Sequence, residues 1–240
     1  MAAALSCAGC LSSSPTGASE APAPSGPTVV YAAIGGNETA GFDATDPQRQ
    51  AWPLLYAHTA LPEQTVVYDL AGPGQTAADA VADQLPAALE VHPQVVTVWL
   101  GPADLLVGTP PSTFGSELGR LLGALQQRPA PQVLVADMPP LSQYPAYSSC
   151  QLRPSACPSR LGRLPAPGAF DALVSAYDVQ IQEAARAEGA TVVGVGVVIG
   201  RALADGRSPT TGDDFDLTTT GHQLVATAFE RASRAAIRQH

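Results

Sequence analysis

The sequence contains no lysine. Its twelve basic residues are all arginine, and 21 acidic residues leave a formal charge of −9. An acidic chain without basic clusters argues against nucleic acid or an anionic lipid surface as the main partner. No uninterrupted apolar stretch reaches the roughly 18 residues that a membrane-spanning helix needs. The four cysteines fall into two pairs, Cys7/Cys10 and Cys150/Cys157, with no histidine or further cysteine at zinc-site spacing, so neither a metal nor another cofactor is expected. There is one asparagine, Asn37, and there are four histidines, His58, His92, His222 and His240. No internal repeat is visible. What is present is 45% hydrophobic residue content with only 14% charged, enough to bury a core. The 240 residues suit one domain of ordinary size, or at most two small ones.

Cys150 and Cys157 flank a short polar stretch in a Pro/Ser-rich loop and read as a disulfide, with two free thiols as the alternative. A bridge would place the protein in an oxidising compartment. The opening MAAALSCAGC is too short for a whole signal peptide and lacks its positive region. Ala8-Gly9-Cys10 nevertheless looks like the end of a bacterial lipobox, where small residues precede the cysteine that receives lipid. Residues 11–27 then form a Ser/Pro/Ala/Gly tether without periodicity. The expectation is an extracytoplasmic lipoprotein, anchored to the membrane only through lipid on Cys10, with Cys7 as the alternative lipid site. On this reading residues 1–27 are a truncated signal and tether, and residues 28–240 are the folded domain. A disordered tail on a cytosolic protein is the other reading.

From residue 28 onward strand and helix patterns alternate. Apolar β-branched runs stand at 28–34, 65–70, 94–100, 132–136 and 191–195. They are continuous rather than alternating, as strands buried on both faces should be. Helices are expected from near Pro53, and from Thr76, where Asp79 completes a capping box. Others carry Phe114, Leu118, Leu121, Leu122 and Leu125 on one face; Leu173, Tyr177 and Ile181 up to Gly189; and Leu224, Val225, Ala228, Phe229 and Ala232. This alternation predicts an α/β fold, a flavodoxin-like three-layer α/β/α sandwich around a five-stranded parallel sheet. Ligands of such sheets bind beyond the carboxyl ends of the strands. That directs attention to segments 35–41, 70–76, 101–106 and 205–222, with the Pro-rich loop 138–168 placed to wall or cover them.

Those four segments, in this order, resemble the sequence blocks of the SGNH (GDSL-type) hydrolases over about residues 28–238. GGNETAG at 35–41 stands for G-D-S-x-T-x-G; LAGPGQT brings Gly74; WLGPAD stands for the G-x-N-D block; and DDFDLTTTGH stands for D-x-x-H. The resemblance implies an ester hydrolase in which a serine attacks, a histidine takes its proton and an aspartate orients the histidine. It also implies an oxyanion hole built from the Ser N–H, the Gly N–H and an Asn side chain. Carried over residue by residue, it maps these positions onto Asn37, Gly74, Ala103, Asp213 and Asp216. Only Gly74 and Asp213 match. Asn37 replaces the serine, Ala103 the oxyanion asparagine and Asp216 the histidine.

An amide has no nucleophilic oxygen, alanine donates no hydrogen bond, and an ordinary aspartate of pKa about 4 is a weak base. The only asparagine is already at position 37. His58 and His92 fall at the wrong edge of the sheet, and His240 is terminal. His222 reads as a helix N-terminal residue contacting nearby backbone, and Thr39 as a structural loop residue. Trp52 and Trp99 read as core. Glu38, Asp104, Asp213, Asp214 and Asp216 should gather near one cleft, more as a solvated acidic rim than as a Ca²⁺ site. The expectation is a monomeric, catalytically degenerate member of the family, acting as a binding or scaffold module for an acylated glycan or lipid. The alternative is an active ester hydrolase or acyltransferase with a relocated catalytic set.

Overall fold

The computed structural model describes residues 28–126, 129–157, 164–212 and 214–237. Five parallel strands, β1 (Val29–Gly35), β2 (Thr65–Asp69), β3 (Val95–Trp99), β4 (Gln132–Ala136) and β5 (Thr191–Val193), form one sheet in the order β2-β1-β3-β4-β5. The register runs from Tyr31 opposite Val67 and Val95 to Val96 opposite Val133 and Leu134 opposite Thr191. Each expected strand is there within a residue or two. The central strand β3 is buried throughout, which explains its unbroken apolar run.

Short helices α1 (Asn37–Ala40) and α2 (Pro47–Gln50) precede α3 (Trp52–Ala60), where Pro53 stands in the first turn. Next come α4 (Ala77–Asp79), a π-helical turn (Ala80–Gln84) and α5 (Leu85–Glu90). Thr76 and Asp79 make the expected capping box, each accepting from the other's backbone N–H. They are followed by α6 (Pro102–Val107), α7 (Pro111–Leu125), α8 (Pro145–Leu152), α9 (Pro167–Glu188), α10 (Val195–Ala204) and α11 (Thr219–Ile237). Helices α3, α10 and α11 pack together on one face of the sheet, and α5, α7 and α9 on the other. The three layers are those of an α/β/α sandwich.

The core runs through both interfaces. Trp52 stacks on Phe229 with ring centroids 4.3 Å apart and meets Trp99 edge-on at 6.3 Å. Both tryptophans are fully buried, in agreement with a packing role. Helix α7 buries all five of its expected apolar residues. Helix α9 ends at Gly189 in a left-handed conformation (φ 69°), which a Cβ would disfavour.

Two elements depart from the sequence expectation. The β-branched run after residue 191 leaves the sheet at Val193 and continues as helix α10. Asp137 Oδ1 accepts from Gly196 N–H at 2.7 Å, and a Cβ on Gly196 would lie 2.4 Å from the Met138 carbonyl oxygen. The tertiary contact therefore overrides local β preference. The described part of the Pro-rich loop is also not irregular. It holds α8 and is tied by a Cys150–Cys157 disulfide, a kind of bond that is common in oxidising compartments and rare in the cytosol. Among the described residues no helix is long and apolar enough to cross a membrane. The expected tether and lipid site, residues 1–27 with Cys7 and Cys10, lie outside the described residues.

Candidate active-site cleft

Strand β1 delivers Gly35, Gly36 and Asn37 to the carboxyl edge of the sheet, where α1 begins at once. Gly35 has no room for a side chain, since a Cβ would stand 2.1 Å from Thr39 Oγ1 and 2.8 Å from the Trp99 carbonyl oxygen. The turn is gripped by Gln84, a buried residue of the π-helical turn. Gln84 Oε1 accepts from Gly35 N–H at 2.9 Å, and Nε2 donates to Gly35 O at 3.0 Å. A π-turn beside a functional loop is a recurrent pairing. Gln84 directly follows Asp83 in the chain, and nothing in the sequence pattern singled it out as this anchor.

Asn37 therefore projects into a cavity of about 220 Å³ lined by Glu38, Gly74, Ala103 and Asp216, with Leu106, Val107, Asp214 and Phe215 completing the wall. Gly74 has φ 65°, in the left-handed region, and its N–H donates to Asn37 Oδ1 at 2.7 Å. The Asn37 side chain is also hydrogen-bonded to the Asp216 carboxylate, its NH₂ being the donor. Asp216 is presented by a loop pinned by a Thr210–Leu217 bridge and by Thr211 N–H donating to Asp216 O at 3.1 Å. Asn37, Gly74, Ala103 and Asp216 are thus brought together at one cavity. Asp213 lies outside the described residues.

The cleft is electrostatically unusual. Burial pushes the Glu38 carboxyl up to about 8, and the charges of Asp216 and Asp214 push the same way. Burial likewise raises Asp216 to about 6, with help from Asp214 and Asp43, while the Asn37 hydrogen bond opposes the shift. Tyr144, stacked on Phe215, has its phenol raised by burial and by the fields of Glu38 and Asp216. Tyr144 belongs to the Pro-rich loop and had no sequence signal tying it to the site.

Asp104 does not join this group, contrary to the expectation that it would face the cleft. Its carboxylate turns inward, only 1% exposed, and Oδ2 accepts from Ala77 N–H at 2.9 Å at the start of α4. The backbone donor is stronger recompense than an exposed position beside three other carboxylates. Thr39 stays buried away from the cavity wall, and its hydroxyl has no hydrogen-bond partner among the described residues. His222 is fully buried at the start of α11. Its Nδ1 accepts from Trp52 N–H at 3.3 Å, and its Nε2 lies 3.2 Å from Phe42 O. Because one partner can only donate and the other only accept, the ring is the neutral Nε2–H tautomer. Burial lowers its pKa accordingly. His222 is a structural staple.

A second cavity, of about 260 Å³, lies at the opposite edge of the sheet between Leu89, His92, Gln94 and Leu125. Among the described residues no cluster of titratable groups faces it. His58 lies in α3 ahead of β2 and His92 ahead of β3, both at that amino-terminal edge.

An α/β/α sandwich with a cleft at the carboxyl ends of β1 and β3, built from the turn after each strand and the loop before the last helix, is the architecture of the SGNH hydrolases. Residues 33–224 match the GDSL-like lipase/acylhydrolase family, and the chain belongs to that family. Solved structures agree in fold. The lipase/acylhydrolase from Enterococcus faecalis superposes with a TM-score of 0.62 at 18% identity, covering 87% of this chain and 96% of its own. The extracellular lipase from Streptomyces rimosus gives 0.58 at 17%, with 85% and 99% covered. The acetyl xylan esterase AlAXEase gives 0.65 at 15%, with 85% and 99% covered. A comparison with curated proteins finds no match.

Proposed function

We propose that this domain is a catalytically degenerate SGNH hydrolase whose cleft binds rather than cleaves, and that it serves as a binding or scaffold module at the cell envelope. The observation that carries this reading is the Asn37 amide. It stands where the family places its serine, and its Oδ1 takes the Gly74 N–H at 2.7 Å, the donor that would otherwise meet a substrate oxyanion. Its NH₂ is engaged by Asp216 at the family's histidine position. Ala103 adds no donor. Loss of one oxyanion donor costs roughly 10²–10³ in rate, and loss of the nucleophile or base of a triad on the order of 10⁶. With nucleophile, base and the asparagine donor all replaced, only trace hydrolysis is expected. The family resemblance suggests an acylated glycan or a lipid as the bound molecule. The lipobox-like Ala8-Gly9-Cys10 and the Cys150–Cys157 bridge support an exported protein tethered through Cys10.

A second reading has one observation in its favour. Asp216, raised to about 6, is a better base than an ordinary aspartate and could activate water in an ester hydrolase or acyltransferase with a relocated set. Turnover of short p-nitrophenyl esters by the purified chain separates the two. The binding-module reading expects rates at background. Clear turnover that vanishes in Asp216→Ala would overturn it.

A further inference from the structure

The charged side chains that line the cleft, Glu38, Asp214 and Asp216, are all carboxyls. Gly74 N–H is taken up by Asn37 Oδ1, and the Asn37 side chain is also hydrogen-bonded to Asp216. Glu38 lines the cavity and is only 6% exposed, yet the one hydrogen bond its carboxyl receives among the described residues is from its own backbone N–H. Asp214 and Asp216 stand close enough to act on it electrostatically. Among the described residues no arginine lines the cavity. The ion pairs formed by Arg49, Arg120 and Arg234 are with residues of their own helices or helix ends, away from the cleft. A buried carboxyl without a counter-charge is costly, and folded proteins normally pair such a group. Among the described residues none supplies that pair.

The missing partner is not matched to a bare metal ion. Among the described residues no three His, Cys, Asp or Glu side chains converge tightly enough to hold one. The carboxylates share a cavity rather than a point. A larger cation with several N–H donors spans such an arrangement. Leu106 and Val107 give that cation's carbon frame an apolar wall.

We propose that the cleft takes a primary ammonium group carried on a small organic skeleton, its N–H donors reaching Glu38 and Asp216 and its carbons lying against Leu106 and Val107. Amino sugars and ethanolamine-type lipid headgroups both present this chemistry. The proposal rests on the binding-module reading and names what that module recognises. Among the described residues, the titratable groups that act on the two acceptors are all acidic: Asp214, Asp43 and Tyr144, besides Glu38 and Asp216 themselves. Raising the pH therefore strengthens the site until the amine itself loses its proton.

The test is calorimetric titration of the full chain with ethanolamine and with glucosamine. N-acetylglucosamine and choline serve as matched probes lacking the ammonium or its donors, and CaCl₂ as the bare-ion control. Saturable binding of an amine, at least tenfold tighter than of either matched probe, is expected. For ethanolamine it should tighten several-fold between pH 6 and pH 8. Glu38→Gln and Asp216→Asn should each weaken it at least tenfold, while Asp137→Asn leaves it unchanged. Glucosamine binding alone would identify an amino sugar, and ethanolamine alone a headgroup. No saturable amine binding, equal binding of N-acetylglucosamine, preference for Ca²⁺, or full affinity in a folded Glu38→Gln variant would overturn the proposal. Ester turnover measured on the same sample tests the binding-module reading separately, because hydrolysis would sink that reading whatever the amines do.

Discussion

Two sets of shielded carboxylates stand near the same edge of the sheet. Asp104, Asp137 and Asp178 each accept a backbone N–H from a neighbouring element, from Ala77 at 2.9 Å, Gly196 at 2.7 Å and Met138 at 2.8 Å. Among the described residues Glu38 and Asp216 receive no backbone N–H from another element, and Asp216 has the Asn37 amide. Burial raises the pKa of all five, with Asp104, Asp137 and Asp216 at about 6 and Glu38 at about 8. The direction of the shift therefore does not separate a structural carboxylate from one available to a ligand. The partner does. The first set ties neighbouring elements to one another, and the second faces an open cavity.

The sharpest way to break this comparison is to restore the family chemistry in the cleft. The triple substitution Asn37→Ser, Ala103→Asn and Asp216→His replaces the engaged amide with a nucleophile and supplies base and oxyanion donor. Esterase activity should rise from background by on the order of a thousandfold or more, measured on p-nitrophenyl acetate. A well-folded triple variant that stays inert would show that the cleft has been misplaced.

Stability against pH gives the next largest effect. Glu38 holds its proton more tightly folded than unfolded, so its contribution is fully present below about pH 4.5 and is lost as pH rises through about 8. Glu38→Gln removes that loss. Chemical denaturation should show the variant gaining on the parent steadily from pH 5 to pH 9, to a few kcal/mol at the alkaline end. A parent with a flat profile over this range would mean that Glu38 has a counter-charge after all.

The tying set should respond in the opposite sense. Asp104→Ala strands the Ala77 N–H and should cost about 1–3 kcal/mol at pH 7, read from the denaturant midpoint. The smallest effect belongs to Asp137→Asn, which keeps an acceptor for Gly196 N–H and should change stability by under about 1 kcal/mol. A large loss there would show that its charge matters beyond the hydrogen bond.

Much of the fold was legible in the chain because it rests on local signals. Unbroken β-branched runs mark strands covered on both faces, and Thr76 with Asp79 marks a helix start. The apolar spacing of Phe114, Leu118 and Leu122 marks the face of α7. Helix α10 was not legible, since its Val- and Gly-rich sequence carries a strand's preference and only the contact of Gly196 with Asp137 and Met138 reverses it. Asp104 was misassigned for a related reason. Its place beside the cleft is set by sequence position, but its direction is set by the start of α4, a backbone donor 27 residues away in the chain.

The sequence by itself determined which side chains stand at positions 37, 74, 103 and 216, and so which reactive groups are absent, because residue identity needs no coordinates. Only the tertiary structure decided that Asn37 holds the Gly74 N–H, that Asp104 faces inward and that Glu38 shares a cavity with Asp216. Hydrogen-bond partnership and desolvation arise between segments far apart in the chain, and no local pattern encodes them.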